Sequence, residues 1–77
     1  MMKSLEQSFG QILKEFRTHS GLSQETLALE CDLDRSYISM LERGLKQPTI
    51  STLFKLSKPL GIKPSKFILL LEESYES

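Results

Sequence analysis

Apolar residues in this chain recur at intervals of three and four, in five clusters separated by short polar breaks. Leu5, Phe9, Ile12, Leu13 and Phe16 make one stripe, which predicts a first helix from about Ser4 or Ser8 to His19. Ser4 and Gln7 have the spacing of a capping box, and Gly21 suits the position just past the helix end. Ser23 can cap a second, short helix whose Leu27 and Ala28 form a small apolar face. Cys31-Asp32-Leu33 then reads as a turn, with Leu33 as its buried plug. Asp34 is a good N-cap for a third helix, where Ile38, Leu41 and Leu45 face the core and Tyr37 lies at the edge. A fourth helix starts at Thr49 with Ile50, Leu53, Leu56 and Leu60 facing in. Pro59 deletes one backbone donor there and crowds the Lys55 carbonyl, which predicts a kink or an early stop. The fifth helix runs from about Pro64 to Ser74. Its Phe67-Ile68-Leu69-Leu70-Leu71 run suits a buried strand by composition, but Lys66 before it and Glu72-Glu73 after it fit a helix better. The expected fold is all-α, with five helices in a single domain over 1–77.

Residues 23–43 stand out, because two short helices joined by a tight turn form a helix-turn-helix, the layout that offers its second helix to the DNA major groove. The outward face of that second helix carries Arg35, Ser36, Ser39, Met40 and Arg43. An ordinary surface helix more often carries paired Glu and Lys. Serine reaches base edges or phosphates, and arginine grips guanine with two hydrogen bonds. Taken alone, this helix fits a solvated amphipathic surface equally well. The preceding helix shifts the balance, since its N-terminal N–H groups and the Gln24 side chain present a positively polarised end to a phosphate.

With these motifs in view, the chain resembles the Xre family, the lambda-repressor-like helix-turn-helix proteins. The resemblance runs from about Phe9 to Phe67. It rests on R-x3-GLSQ-x2-LA (Arg17 to Ala28), LDRSYIS-x2-ERG (Leu33 to Gly44), QPTIS-x-L (Gln47 to Leu53) and LGIKPSKF after it. It implies a five-helix DNA-binding domain in which Gln24 contacts the DNA backbone and Arg17 forms a structural pair with Glu42. Two positions depart from the family pattern. Asp32 stands where relatives often have glycine, and a left-handed backbone is harder for aspartate. Pro59 stands where relatives usually keep a helix former.

Charge refines this picture. The chain is neutral overall, which at first argues against nucleic acid, but its charges are segregated. Residues 1–34 carry net −3, residues 35–66 carry seven basic groups against Glu42 for net +6, and residues 67–77 carry net −3. This concentrates positive potential on the third helix and the segment after it, while acidic flanks hold down non-specific affinity. The base-contacting candidates are Arg35, Ser36, Tyr37 and Ser39, and Gln24, Arg43 and Lys46 are candidates for phosphates.

A chain of 77 residues buries roughly 60–65% of its unfolded surface, enough for one small core. No segment has the roughly 20 apolar residues of a membrane span, and the start, Met1-Met2-Lys3-Ser4, is unlike a signal peptide. The lone cysteine, Cys31, forms no internal disulfide and fits a buried place in a reduced, cytoplasmic protein. With one histidine, one cysteine, no phosphate loop and no metal-ligand spacing, neither an enzyme nor a metal or cofactor is expected. His19 suits the helix dipole instead.

The fifth helix is apolar around most of its circumference, more than a domain of this size covers. The expected cover is a second copy, with Phe67, Leu70 and Leu71 as interface candidates. Such a homodimer spaces two recognition helices about 34 Å apart, one DNA turn, on a pseudo-palindromic operator. The expected partners are therefore double-stranded DNA and a second copy, with RNA polymerase left open, and no membrane or small-molecule effector. Restriction–modification controller proteins are similar in length and in the LDRSYIS motif. An antitoxin, a small phage or plasmid repressor, or a protein-interaction module on the same fold remain alternatives.

Overall fold

The computed structural model describes residues 3–76; Met1, Met2 and Ser77, the ends of the expected domain, lie outside the described residues. Among the described residues the secondary structure is five helices and no strand. They are α1 (Leu5–His19), α2 (Gln24–Cys31), α3 (Arg35–Glu42), α4 (Ile50–Leu60) and α5 (Pro64–Glu76). Side chains set the helix starts. Ser4 Oγ accepts from the Gln7 N–H while the Ser4 N–H donates to Gln7 Oε1, both at 3.1 Å, completing the capping box. Ser23 caps α2 through the Thr26 N–H, and Thr49 caps α4 through the Thr52 N–H. Asp34 holds the extended N-cap backbone of α3, but its side chain makes no capping bond.

The helix ends follow a shared rule. After α1, α2, α3 and α4 the chain turns through one left-handed residue, respectively Gly21, Asp32, Gly44 and Gly61. At each end the N–H of the residue after it reaches back five residues, as in Leu22 to the Arg17 carbonyl and Leu33 to the Ala28 carbonyl. Asp32 takes the glycine's place at φ 56°, ψ 45°, which its short polar side chain tolerates. This end rule corrects one expectation. Because Gly44 closes α3 after Glu42, Leu45 leaves the core-facing stripe and is 61% exposed.

Helix α1 packs across α3 and α5, while α2 packs on α3 and α4. Leu13, Leu27, Ile38, Leu41, Leu56 and Phe67 fill the centre with no exposed surface. Leu33 and Tyr37 are half-buried against this core. The crossing of α1 over α3 depends on Gly10. A Cβ there would lie 2.4 Å from the Leu41 carbonyl oxygen, so only glycine lets α1 approach the end of α3 this closely. Ile50, expected inside, is 72% exposed, because it opens the first turn of α4 ahead of the buried Leu53 and Leu56.

Pro59 neither breaks α4 nor stops it early. The helix continues to Leu60 and ends at Gly61. The bond that Pro59 deletes would have ended on the Lys55 carbonyl. That oxygen instead accepts the Cys31 thiol of α2, at 3.3 Å. Burial first, and Glu30 second, push the Cys31 thiol up to about 11, while Lys55 pulls it the other way, so the thiol keeps the proton it donates.

Helix α5 corrects the expected interface. Phe67 stacks on Phe9 with ring centroids 5.3 Å apart, meets Phe16 edge-on at 5.6 Å, and is wholly buried. It belongs to the core of one copy and cannot meet a partner. Leu70 and Leu71 are half-buried on opposite flanks. Leu70 lines a groove with Ile12 and Phe16, whereas Leu71 lines another with Leu5, Ile50, Leu53 and Ile68.

Candidate nucleic-acid interface

The helix-turn-helix is held from behind by one buried charge cluster. Arg17 of α1 donates through Nε to Glu42 Oε2 and through Nη2 to Glu42 Oε1, the latter at 3.0 Å. Its remaining nitrogen, Nη1, donates to the Leu22 carbonyl at 2.8 Å, tying the loop before α2 to the same guanidinium. The Arg17 and Glu42 side chains keep 11% and 3% of their surface exposed. The Arg17 pKa is raised, first by its hydrogen bond to Glu42 and in smaller part by that carboxylate's charge, with burial opposing. Removing either partner strands a buried charge, which typically costs about 3–5 kcal/mol. The pair assigned by resemblance is thus present, bidentate and nearly dry.

The opposite side of α3 faces solvent. Arg35 and Ser36 in the first turn are exposed, and Ser39 and Met40, one turn on, are half-buried. Arg43 at the C-cap and Lys46 in the following loop are exposed. Among the described residues, none of Arg35, Arg43 and Lys46 enters an ion pair. Tyr37 differs from the other base-contacting candidates, because it packs against the core and offers solvent only part of its ring. The chemistry on offer is therefore two exposed guanidinium groups, small hydroxyls between them, and a lysine on the exit loop. That combination suits base edges and phosphates.

Gln24 sits at the first position of α2, half-buried, and its Nε2 donates to Glu42 Oε1 at 3.0 Å. One of its two amide hydrogens is therefore committed inward. Sequence reasoning placed Gln24 and Glu42 in separate roles and missed this link, which joins residues 18 positions apart. It also missed Gly10. The signal for it was a glycine inside a helical pattern, where it costs about 1 kcal/mol unless a close approach requires it.

The basic block of residues 35–66 does not form one surface. Arg35, Arg43 and Lys46 follow α3 and its exit loop, but Lys55 and Lys58 line a separate groove beside Glu30, Cys31 and Pro59. Among the described residues no group of His, Cys, Asp or Glu has the arrangement of a metal site.

Comparison with known proteins gives a consistent result. A family model described as helix-turn-helix matches residues 13–67. The control protein C.BamHI of Bacillus amyloliquefaciens is 41% identical over 69 residues, covering 88% of this chain and 85% of that protein. The crystal structure of the restriction-modification controller protein C.AhdI from Aeromonas hydrophila superposes with a TM-score of 0.78 at 45% identity. The match covers 80% of this chain and 94% of that one. The regulator SinR, crystallised in complex with DNA, matches with a TM-score of 0.74 at 33% identity over 78% of this chain and 97% of that one.

Proposed function

This chain belongs to the helix-turn-helix family of transcriptional regulators, and from that premise we propose that it binds duplex DNA as a restriction–modification controller. The observation that carries this reading is the contrast between the two sides of α3. Ile38 and Leu41 are wholly buried and Glu42 is clamped to Arg17, while Arg35 and Ser36 project into solvent with Arg43 and Lys46 beyond them. A helix fixed so firmly from behind can enter the major groove with little loss of freedom.

In this account Arg35 reads a guanine, and Ser36, Ser39 and the exposed part of Tyr37 contact bases or adjacent backbone. Gln24, Arg43 and Lys46 hold phosphates and set the register. The protein acts as a homodimer on a pseudo-palindromic operator. The groove shared by Leu5, Ile50, Leu53, Ile68 and Leu71 supports an interface there, since Ile50 and Ile68 are 72% and 50% exposed on one copy. Contact with RNA polymerase is a further proposal, made through surfaces other than α3 and its exit loop, which are committed to DNA. No helix of the described residues is long and apolar enough to cross a membrane.

The reading is tested with Arg35→Ala on a panel of duplexes that differ by one base pair at a time. The expected loss is roughly 1–3 kcal/mol, confined to sequences carrying the guanine that Arg35 reads, with preference relaxed at that position. A uniform loss across the panel contradicts base reading by Arg35.

A further inference from the structure

We propose that Glu42, beyond its pairing with Arg17, positions the Gln24 side chain for its DNA contact. This proposal rests on the reading of Gln24 as a phosphate-binding residue. Three donors converge on the Glu42 carboxylate. Oε2 takes Arg17 Nε, while Oε1 takes both Arg17 Nη2 and Gln24 Nε2, each at 3.0 Å. A carboxylate accepts and does not donate, so only the nitrogen end of the Gln24 carboxamide can settle against it. The bond therefore selects one of the two amide flips and restrains a side chain that is otherwise free to rotate. Nε2 retains a second N–H, which can reach a phosphate oxygen beside the backbone N–H groups that open α2.

The same carboxylate also sets a register. Glu42 is the last residue of α3, Gln24 the first of α2, and Arg17 lies in the last turn of α1. One buried group thus ties the backbone-holding residue to the base-reading helix, so a phosphate seated on Gln24 fixes where α3 lies along the groove. Without Glu42, the Gln24 amide would have to be ordered at the moment of binding, which lowers what its contact contributes.

The test is a cycle of variants measured by DNA affinity on one fixed operator. Gln24→Ala in the otherwise unchanged chain is expected to weaken binding about tenfold, the loss of one charge-assisted hydrogen bond. Glu42→Ala alone strands Arg17, so the second background is Arg17→Met with Glu42→Leu, an apolar replacement of the whole pair. In that background Gln24→Ala is expected to cost less than about twofold. An equal cost in both backgrounds overturns the positioning role and leaves the phosphate contact standing. A silent Gln24→Ala in the unchanged chain overturns the contact itself, and the positioning role with it. A second measurement needs no variant of the pair. In the free protein the Gln24 amide proton bonded to the carboxylate should resonate clearly downfield of its position in free glutamine; a pair resembling free glutamine overturns the proposal.

Discussion

Asp32 occupies a backbone conformation that the chain gives to glycine at three other helix ends. Its polar side chain makes the left-handed turn tolerable, yet a Cβ in that region carries a residual cost. Asp32→Gly is therefore expected to stabilise the fold by about 0.5–1 kcal/mol, measured as a shift in the urea midpoint with the slope unchanged. The turn was legible in the flanking periodicity, and the strain at Asp32 was implied by the family resemblance, in which relatives often have glycine there. The partnership of Cys31 with the carbonyl freed by Pro59 was not legible, since it joins α2 to α4 across 24 residues. It has a pH signature. The thiol's ordinary value of 9.0 rises to about 11 on folding, so between those values the folded chain holds more proton than the unfolded one. The stability contributed by the protonated thiol is complete below 9.0 and is lost as pH rises through about 11. Chemical unfolding at a series of pH values should show a steeper alkaline loss in the native sequence than in Cys31→Ala. Equal slopes contradict the burial argument.

At the scale of elements, the helices and their order could be read from periodicity and caps, but the rotation of the last one could not. Five consecutive apolar residues in α5 leave any face free to point inward. The choice is made by Phe9 and Phe16, far away in sequence, which receive Phe67 between them. Leu45 and Ile50 were misplaced for a related reason. Helical spacing carries on past the residue where Gly44 ends α3, and it takes no account of how the first turn of α4 emerges from its cap. The corrected face makes a sharp contrast between neighbours. Phe67→Ala should destabilise the fold by about 3–5 kcal/mol through loss of a buried aromatic. Ile68→Asp, on the 50% exposed neighbour, should leave each protomer folded while shifting sedimentation equilibrium toward monomer. A folded Ile68→Asp that dimerises as well as the native chain would move the interface elsewhere.

The whole molecule combines a neutral total with a segregated surface. Arg35, Arg43 and Lys46 supply the positive edge along α3, whereas Lys55 and Lys58 face the Glu30 groove, a separation invisible in a linear count of charge. Few ion-releasing contacts per protomer are therefore expected. Lys46→Ala should weaken all duplexes about equally and flatten the dependence of log affinity on log salt by about one unit per protomer. An unchanged salt slope would remove Lys46 from the phosphate contacts. The outward face of α3 was readable beforehand because motif spacing sets which helix each residue joins, and the Arg17–Glu42 pair was implied by the family resemblance. Their coupling through Gln24 depended on how three helices meet, which spacing alone does not specify.

The central claim is sequence-specific binding by a two-fold dimer, and it is tested most directly by selecting duplexes from a random DNA pool at about 150 mM salt, where non-specific binding is weak. The expected result is recovery of a pseudo-palindrome whose half-sites lie about one helical turn, 34 Å, apart. Recovery of no shared motif by folded, dimeric protein would contradict the claim and turn attention to a protein partner for the same fold.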